Sequence, residues 1–115
     1  MCLLTAGSLR AQDSLTKTLS GTASFYAKRF EGRRCASGEI FRHDSLTAAH
    51  KTLSFGTRVK VTNLKNDSVV IVRINDRLPK RSKRSIDLTR KAAKQLNFIN
   101  QGLAKVKLEI LTENP

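Results

Sequence analysis

Asp76 closes the apolar run "SVVIVRIND" (68–76), and five basic residues follow within eight positions: Arg77, Lys80, Arg81, Lys83 and Arg84. It shares strand parity with Val70, Val72 and Ile74. If those side chains face a core, Asp76 stands on the inward side at the strand's end, where a partly desolvated carboxyl can serve as a general acid. The plainer alternative is an aspartate that caps a turn or pairs with Arg73 or Arg77. Glu39 follows a glycine in "CASGEIF" (35–41), where the backbone can come close to a ligand; otherwise it is a solvated loop acid. His50 ends "LTAAH" (46–50), whose small side chains leave room beside the imidazole, although a lone histidine also serves as a hydrogen-bonded structural residue. Asp87 reads as an electrostatic partner for a helix start, outside any site. Cys35, His43 and His50 are not spaced as zinc ligands and there is no C-x-x-C, so neither a metal nor a cofactor is expected.

These residues need rigid elements to carry them, and the dominant period is two, the signature of strands. "LSGTASFYA" (19–27) puts Leu19, Gly21, Ala23 and Phe25 on one side. "KRFEGRRCASGEIFRHD" (28–44) reads as a polar loop, and "SLTAAH" (45–50) is undecided. "TRVKVTNL" (57–64) alternates cleanly about Val59 and Val61, and "KND" (65–67) signals a hairpin. The next run is apolar on both parities in its first half, which predicts a central strand covered on both faces. "IDLTRKAAKQLNF" (86–98) is the helix, with Thr89 as its N-cap and Gly102 past its end. "AKVKLEIL" (104–111) closes as a strand with Val106, Leu108 and Ile110 inward. A small, mainly β barrel with one helix across an end follows.

Length allows one compact domain: 115 residues, with 22 Lys and Arg against nine Asp and Glu, a formal charge of +13. So basic a chain favours polyanions, whether nucleic acid, wall polymer or acidic membrane surface. No run approaches the roughly 20 apolar residues of a membrane span. No helix-turn-helix or RNP-type aromatic motif accompanies the two basic clusters, Lys28, Arg29, Arg33, Arg34 and Arg77–Arg84, so nucleic acid is not the expected partner. "MCLLTAGSLRAQD" (1–13) lacks a positively charged start and reads as the tail of an export signal, the alternative being an ordinary disordered terminus. Cys2 has no Leu-x-Gly/Ala before it, so a lipoprotein anchor there is not supported. The expected division is residues 1–17 as residual signal and 18–113 as the domain.

The segments "GTASFYA", "ASGEIF", "LTAAHKTLSFGTRVKVTNL", "VVIVRINDR", "IDLTRKAAKQL" and "GLAKVKLEIL" together resemble the rare lipoprotein A family, bacterial septal-ring lytic transglycosylases. The resemblance runs from about Ser20 to Leu111. It implies a six-stranded double-psi β-barrel with one short helix that acts on the glycan strands of peptidoglycan, from an exported, periplasmic or envelope-associated position and as a monomer. It further implies Glu39, His50 and Asp76 as the functional acid, histidine and aspartate, with Tyr26, Ser37, Lys51, Asn75 and Arg77 as groove residues. Asp76 would be the acid/base, Glu39 would hold substrate or stabilise an oxocarbenium-like state, and His50 would orient a carboxylate. This chain departs from the family pattern at three places. Cys35 stands where the family has Thr, Lys80 replaces an aromatic residue, and Leu78 replaces a glycine, which predicts another path for that loop. Expansin-like proteins share the barrel, so a non-catalytic wall-binding module is the main alternative, ahead of a nucleic-acid binder.

Overall fold

The computed structural model describes residues 15–111. Most of the expected signal segment 1–17, with Cys2, lies outside them, as do residues 112–115. Six strands close a barrel: β1 (Leu15–Phe25), β2 (Thr47–His50), β3 (Arg58–Asn63), β4 (Val69–Arg77), β5 (Ile86–Leu88) and β6 (Ala104–Leu111). Their order around the barrel is β1-β5-β2-β4-β3-β6, and β6 pairs back onto β1. Two pairings are parallel, β1 with β5 and β2 with β4; the others are antiparallel. This is the mainly β barrel with one short helix that the sequence predicts.

The alternating runs fold as their period requires. Val59, Val61, Val70, Val72, Ile74, Val106, Leu108 and Ile110 are all buried, and with Ala23, Ile86 and Leu88 they fill the barrel. Strand β4 corrects one expectation. It is not covered on both faces, because Val69 and Ile71 stay 44% and 39% exposed while their neighbours go inward; β-branched residues occupy both parities and only one parity is core. The undecided segment becomes β2, whose four residues are all buried.

The helix is shorter than its pattern. Ile86–Leu88 is strand β5, and α1 spans Arg90–Gln95. Thr89 caps it as predicted, its hydroxyl accepting from Ala92 N at 3.3 Å and donating to Ser45 O at 2.5 Å. The stop comes at Asn97, not Gly102. Asn97 takes φ +62°, while Phe98 N donates to Ala93 O and Asn97 N to Lys94 O, the paired bonds of a Schellman ending. Ala92 and Ala93 turn toward the barrel, and α1 packs against β1, β4 and β5.

Among the described residues, Gly21 is the one glycine whose missing side chain decides packing. A Cβ there would lie 1.9 Å from Ser85 Oγ and 2.7 Å from Ser85 Cβ. The segment before β5 therefore crosses directly over β1, fixed by Ser85 N donating to Thr22 O at 2.8 Å. That crossing delivers Arg84 and Asp87 to the end of the barrel where β4 finishes.

Candidate functional site

Asp76 reaches its position through a register break rather than by continued alternation. Strand β4 pairs with β2 as Ala48↔Ile74 and then Ala49↔Asp76, so Asn75 is an extra residue. Bulges of this kind re-aim a side chain. Ile74 and Asn75 are consequently both buried, at 0% and 3% exposure, and Asp76 follows half-buried.

Three donors hold the Asp76 carboxylate. Oδ1 accepts from Ala36 N at 2.8 Å and Arg77 N at 2.9 Å, and Oδ2 accepts from the Tyr26 hydroxyl at 2.6 Å. A carboxylate offers about two acceptor sites per oxygen. Oδ1 is thus filled by backbone, while Oδ2 keeps one site open. Tyr26 cannot easily lose its own proton, because burial, and then the bond to Asp76 and its charge, raise its pKa far above the ordinary phenol value. Tyr26 also packs on Phe41 and, edge-on, on Phe30.

Tyr26, Phe30, Ala49, Asp76 and Arg77 line a cleft of about 590 Å³, and Arg84 and Asp87 line it too. Asp87 is therefore a residue that the sequence reading left outside the site. Its carboxylate is held by side chains outside α1. Ser24 Oγ donates to its Oδ1 in a short hydrogen bond, and Arg84 grips it bidentately, Nε to Oδ1 at 2.7 Å and Nη2 to Oδ2 at 3.1 Å. The pair raises the Arg84 pKa further, through that hydrogen bond first. Ala49 pairs with Asp76 on one side and with Asp87 on the other. One small residue thus separates two carboxylates that stand two strands apart, roughly 10 Å at the backbone.

Glu39 lies beside this cleft and not in its wall. Its carboxylate takes both ends of the Arg73 guanidinium, one contact short and the other at 3.1 Å, and Asn75 Nδ2 donates to it at 3.0 Å. Arg73 and then Asn75 hold its pKa below the ordinary carboxylate value. Gly38 brings this about through its turn, with φ +97° and nothing within 4 Å of where a Cβ would stand. Ser37 N donates to Asn75 O at 3.2 Å. The loop 35–39 is therefore clamped to the end of β4 at Arg73, Asn75 and Asp76. Cys35, buried beneath it, feels both acids: burial, then Asp76 and Glu39, push its thiol up to about 11.

His50 is 8% exposed. Its Nδ1 accepts from the backbone N–H of Thr52 at 3.1 Å and of Leu53 at 3.2 Å. An acceptor Nδ1 means a neutral ring with its proton on Nε2. Burial, then the charges of Arg77 and Lys51, lower its pKa, which keeps that tautomer near neutral pH. Its backbone oxygen accepts from Leu78 N at 3.2 Å and from Arg77 Nη1 at 3.3 Å. The His50 ring makes no hydrogen bond to Asp76 or Glu39 among the described contacts; Lys51 adjoins it, and Arg77 spans from it to the cleft and stacks over Phe55 at 4.3 Å.

The basic loops converge as far as the cleft. Arg29 and Arg33 flank Phe30 at 5.0 and 5.3 Å, and Phe30 lines the same wall as Arg77 and Arg84. Leu78, in place of the family's glycine, needs no left-handed backbone, since the non-glycine residues with positive φ among those described are Asp67 and Asn97. It is buried and lines the cleft. Among the described residues no group of three or more His, Cys, Asp or Glu side chains is gathered as a metal would require, and no helix is long and apolar enough to cross a membrane.

A family model described as lytic transglycolase, of the double-psi barrel type, matches residues 18–108. The chain belongs to this family. A relative from Neisseria meningitidis, named endolytic peptidoglycan transglycosylase RlpA, is 50% identical over 92 residues, covering 80% of this chain and 38% of its own. One from Synechocystis, named a probable enzyme of that kind, is 48% identical over 101 residues, covering 88% of this chain and 32% of its own. The chain thus spans about a third of the length of these relatives. Among solved structures, an expansin from Clavibacter michiganensis, crystallised with cellohexaose, superposes with TM-score 0.68 at 18% identity over 86% of this chain and 52% of its own. A Streptomyces papain inhibitor superposes with TM-score 0.67 at 18% identity, over 84% and 96%. Likeness at that identity shows the barrel alone.

Proposed function

We propose that this domain is a lytic transglycosylase that cleaves the MurNAc–GlcNAc bond of peptidoglycan glycan strands, in wall remodelling during daughter-cell separation. The observation that carries the reading is the Asp76 carboxyl, whose Oδ2 keeps one acceptor site open in a cleft rimmed by arginines. A protonated Asp76 gives its proton to the glycosidic oxygen as the bond from C1 of the muramyl unit breaks and the glucosaminyl hydroxyl departs. The muramyl C6 hydroxyl then closes onto C1 and returns its proton to Asp76. The product is a 1,6-anhydro end, the acid is regenerated, and no water is consumed. General acid–base help of this kind is worth about 10²–10⁴ in rate.

The other residues take supporting roles. Tyr26 orients Oδ2 and keeps its own proton. Glu39, tied to Arg73 and Asn75, holds the loop whose Ala36 N–H fixes Oδ1, and lends negative charge to the oxocarbenium-like state, as does Asp87 from the far side of Ala49. Neutral His50 pins the segment after β2 and, with Lys51, Ser37, Asn75 and Arg77, forms the flank along which the strand lies. Arg77, Lys80, Arg81 and Lys83 meet the anionic groups of the wall. A substrate of this kind puts the protein in the cell envelope, exported, and the domain works as a monomer.

The test is incubation with purified sacculi and with amidase-treated strands, followed by mass analysis. Ends bearing 1,6-anhydro-muramic acid support the reading. Reducing ends only, or strand binding with no new ends, overturn it, the second result in favour of a non-catalytic wall-binding module.

A further inference from the structure

A second groove, of about 430 Å³, runs between the β3–β4 turn and the segment joining α1 to β6, lined by Asn63, Lys65, Asn66, Asn97, Gln101 and Leu103 with their neighbours. It opens onward into a shallower depression that adds Lys94 and Asn100. No acid lines either part. Leu103 is 55% exposed and lines both this groove and the Asp76 cleft, so the two meet at one apolar residue.

The amides divide into two sets. Asn63 and Asn66 are structural: both Nδ2 groups donate to Leu96 O, at 2.7 and 3.1 Å, and their Oδ1 atoms accept from Lys65 N and Ser68 N. They weld the hairpin turn to the end of α1 and make the groove floor rigid. The side-chain amides of Asn97, Asn100 and Gln101 make no hydrogen bond among the described residues, although the Schellman ending fixes the backbone of Asn97. A rigid floor, free amides, an exposed aliphatic side chain and lysines that form no ion pair among the described residues make one chemical pattern. Planar amides offer a donor and an acceptor together, which matches sugar hydroxyls and acetamido groups. Leu103 can cover the apolar face of a ring, and Lys65 and Lys94 can meet carboxylates.

We infer that this groove is a distal subsite for the same glycan strand, in which an acidic, N-acetylated amino-sugar chain leaves the Asp76 cleft, crosses Leu103 and lies along Asn97 and Gln101. The inference rests on the proposed substrate class. Its consequence is a grip that depends on strand length: short oligosaccharides fill the cleft alone, and long strands gain the second set of contacts.

The experiment measures strand binding by titration calorimetry in an Asp76→Asn background, so that no strand is cut during the measurement. The probes are an amidase-treated glycan tetrasaccharide and strands several times longer. Asn97→Gly with Gln101→Ala removes the two amides while glycine keeps the left-handed backbone at position 97. The expected result is a dissociation constant for long strands raised about tenfold, the scale of losing two or three neutral hydrogen bonds, with the tetrasaccharide unchanged. Leu103→Ala, which touches both the groove and the cleft, should weaken long strands by a few-fold and the tetrasaccharide by less. Equal affinity of parent and variants for long strands overturns the subsite, and so does equal weakening on the tetrasaccharide. Length-dependent binding that the variants lose, from a wild-type domain that yields no anhydro ends, supports the subsite and overturns the catalytic reading. Anhydro ends without length dependence do the reverse.

Discussion

One five-residue loop, 35–39, carries Glu39 and binds Asp76 through Ala36 N, yet the two acids are held by different kinds of partner. Asp76 receives a phenol and two backbone N–H groups, all neutral. Glu39 receives a guanidinium and an amide. A proton on Glu39 would leave Arg73 unpaired, whereas no side-chain cation bonds to the Asp76 carboxylate among the described residues. Under the proposed mechanism, proton transfer falls to Asp76 and a fixed negative charge to Glu39. Substitutions at each should therefore differ in size and in kind.

The largest effect is expected at Asp76. In Asp76→Asn, the amide oxygen can still accept both backbone N–H groups and the amide nitrogen can donate to Tyr26, so folding survives, while anhydro-product formation falls by about 10² or more, the scale of general acid catalysis. Gly21→Ala attacks the other wall of the cleft. Its Cβ would collide with Ser85, and overpacking of this kind costs about 1–3 kcal/mol; thermal denaturation should record a lower Tm, and displacement of Arg84 and Asp87 should lower turnover in the protein that remains folded. Glu39→Gln keeps the Asn75 contact but discharges the pair with Arg73. Turnover should fall about tenfold, within the range of a single charge-assisted hydrogen bond, and high salt should mimic part of the loss in the parent, since both partners are partly exposed. Tyr26→Phe removes one donor from Oδ2 and should cost a few-fold in rate, about one neutral hydrogen bond.

The smallest effect is a titration. The pKa of His50 is lowered, so on acidification the unfolded chain takes up its proton before the folded one does. Its contribution to stability is full above about pH 6.5, the unfolded value, and falls as the pH drops toward the folded value. Nitrogen chemical shifts should report the Nε2–H tautomer at neutral pH and a midpoint below 6.5. A midpoint above 6.5 would mean that Nδ1 is not the acceptor for Thr52 and Leu53.

The period-two runs made the barrel legible, since each valine of β3, and the inward parity of β4 and β6, could go only one way. Strand β2 was not legible because its four residues are all buried and so carry no alternation. Strand β5 was hidden at the front of a helical pattern, for three residues are too few to show a period. The bulge at Asn75 left no local trace, and it is what turns Asp76 into the cleft; the alternation read from Val70, Val72 and Ile74 does not continue through it. Asp87 was missed for the same kind of reason. Its partner Ser24 lies 63 positions away, and a Gly21 that lets two segments touch looks, in sequence, like one more small residue on a strand.

The contrast between the two acids is tested most directly by a time course of 1,6-anhydro ends released from amidase-treated strands by wild type, Glu39→Gln and Asp76→Asn, each first shown to be folded by circular dichroism. The expected order is wild type, then Glu39→Gln at about a tenth of its rate, then Asp76→Asn close to the blank. Wild-type-like release from Asp76→Asn, or a Glu39→Gln loss as deep as that of Asp76→Asn, would contradict the assignment of proton transfer to Asp76 alone.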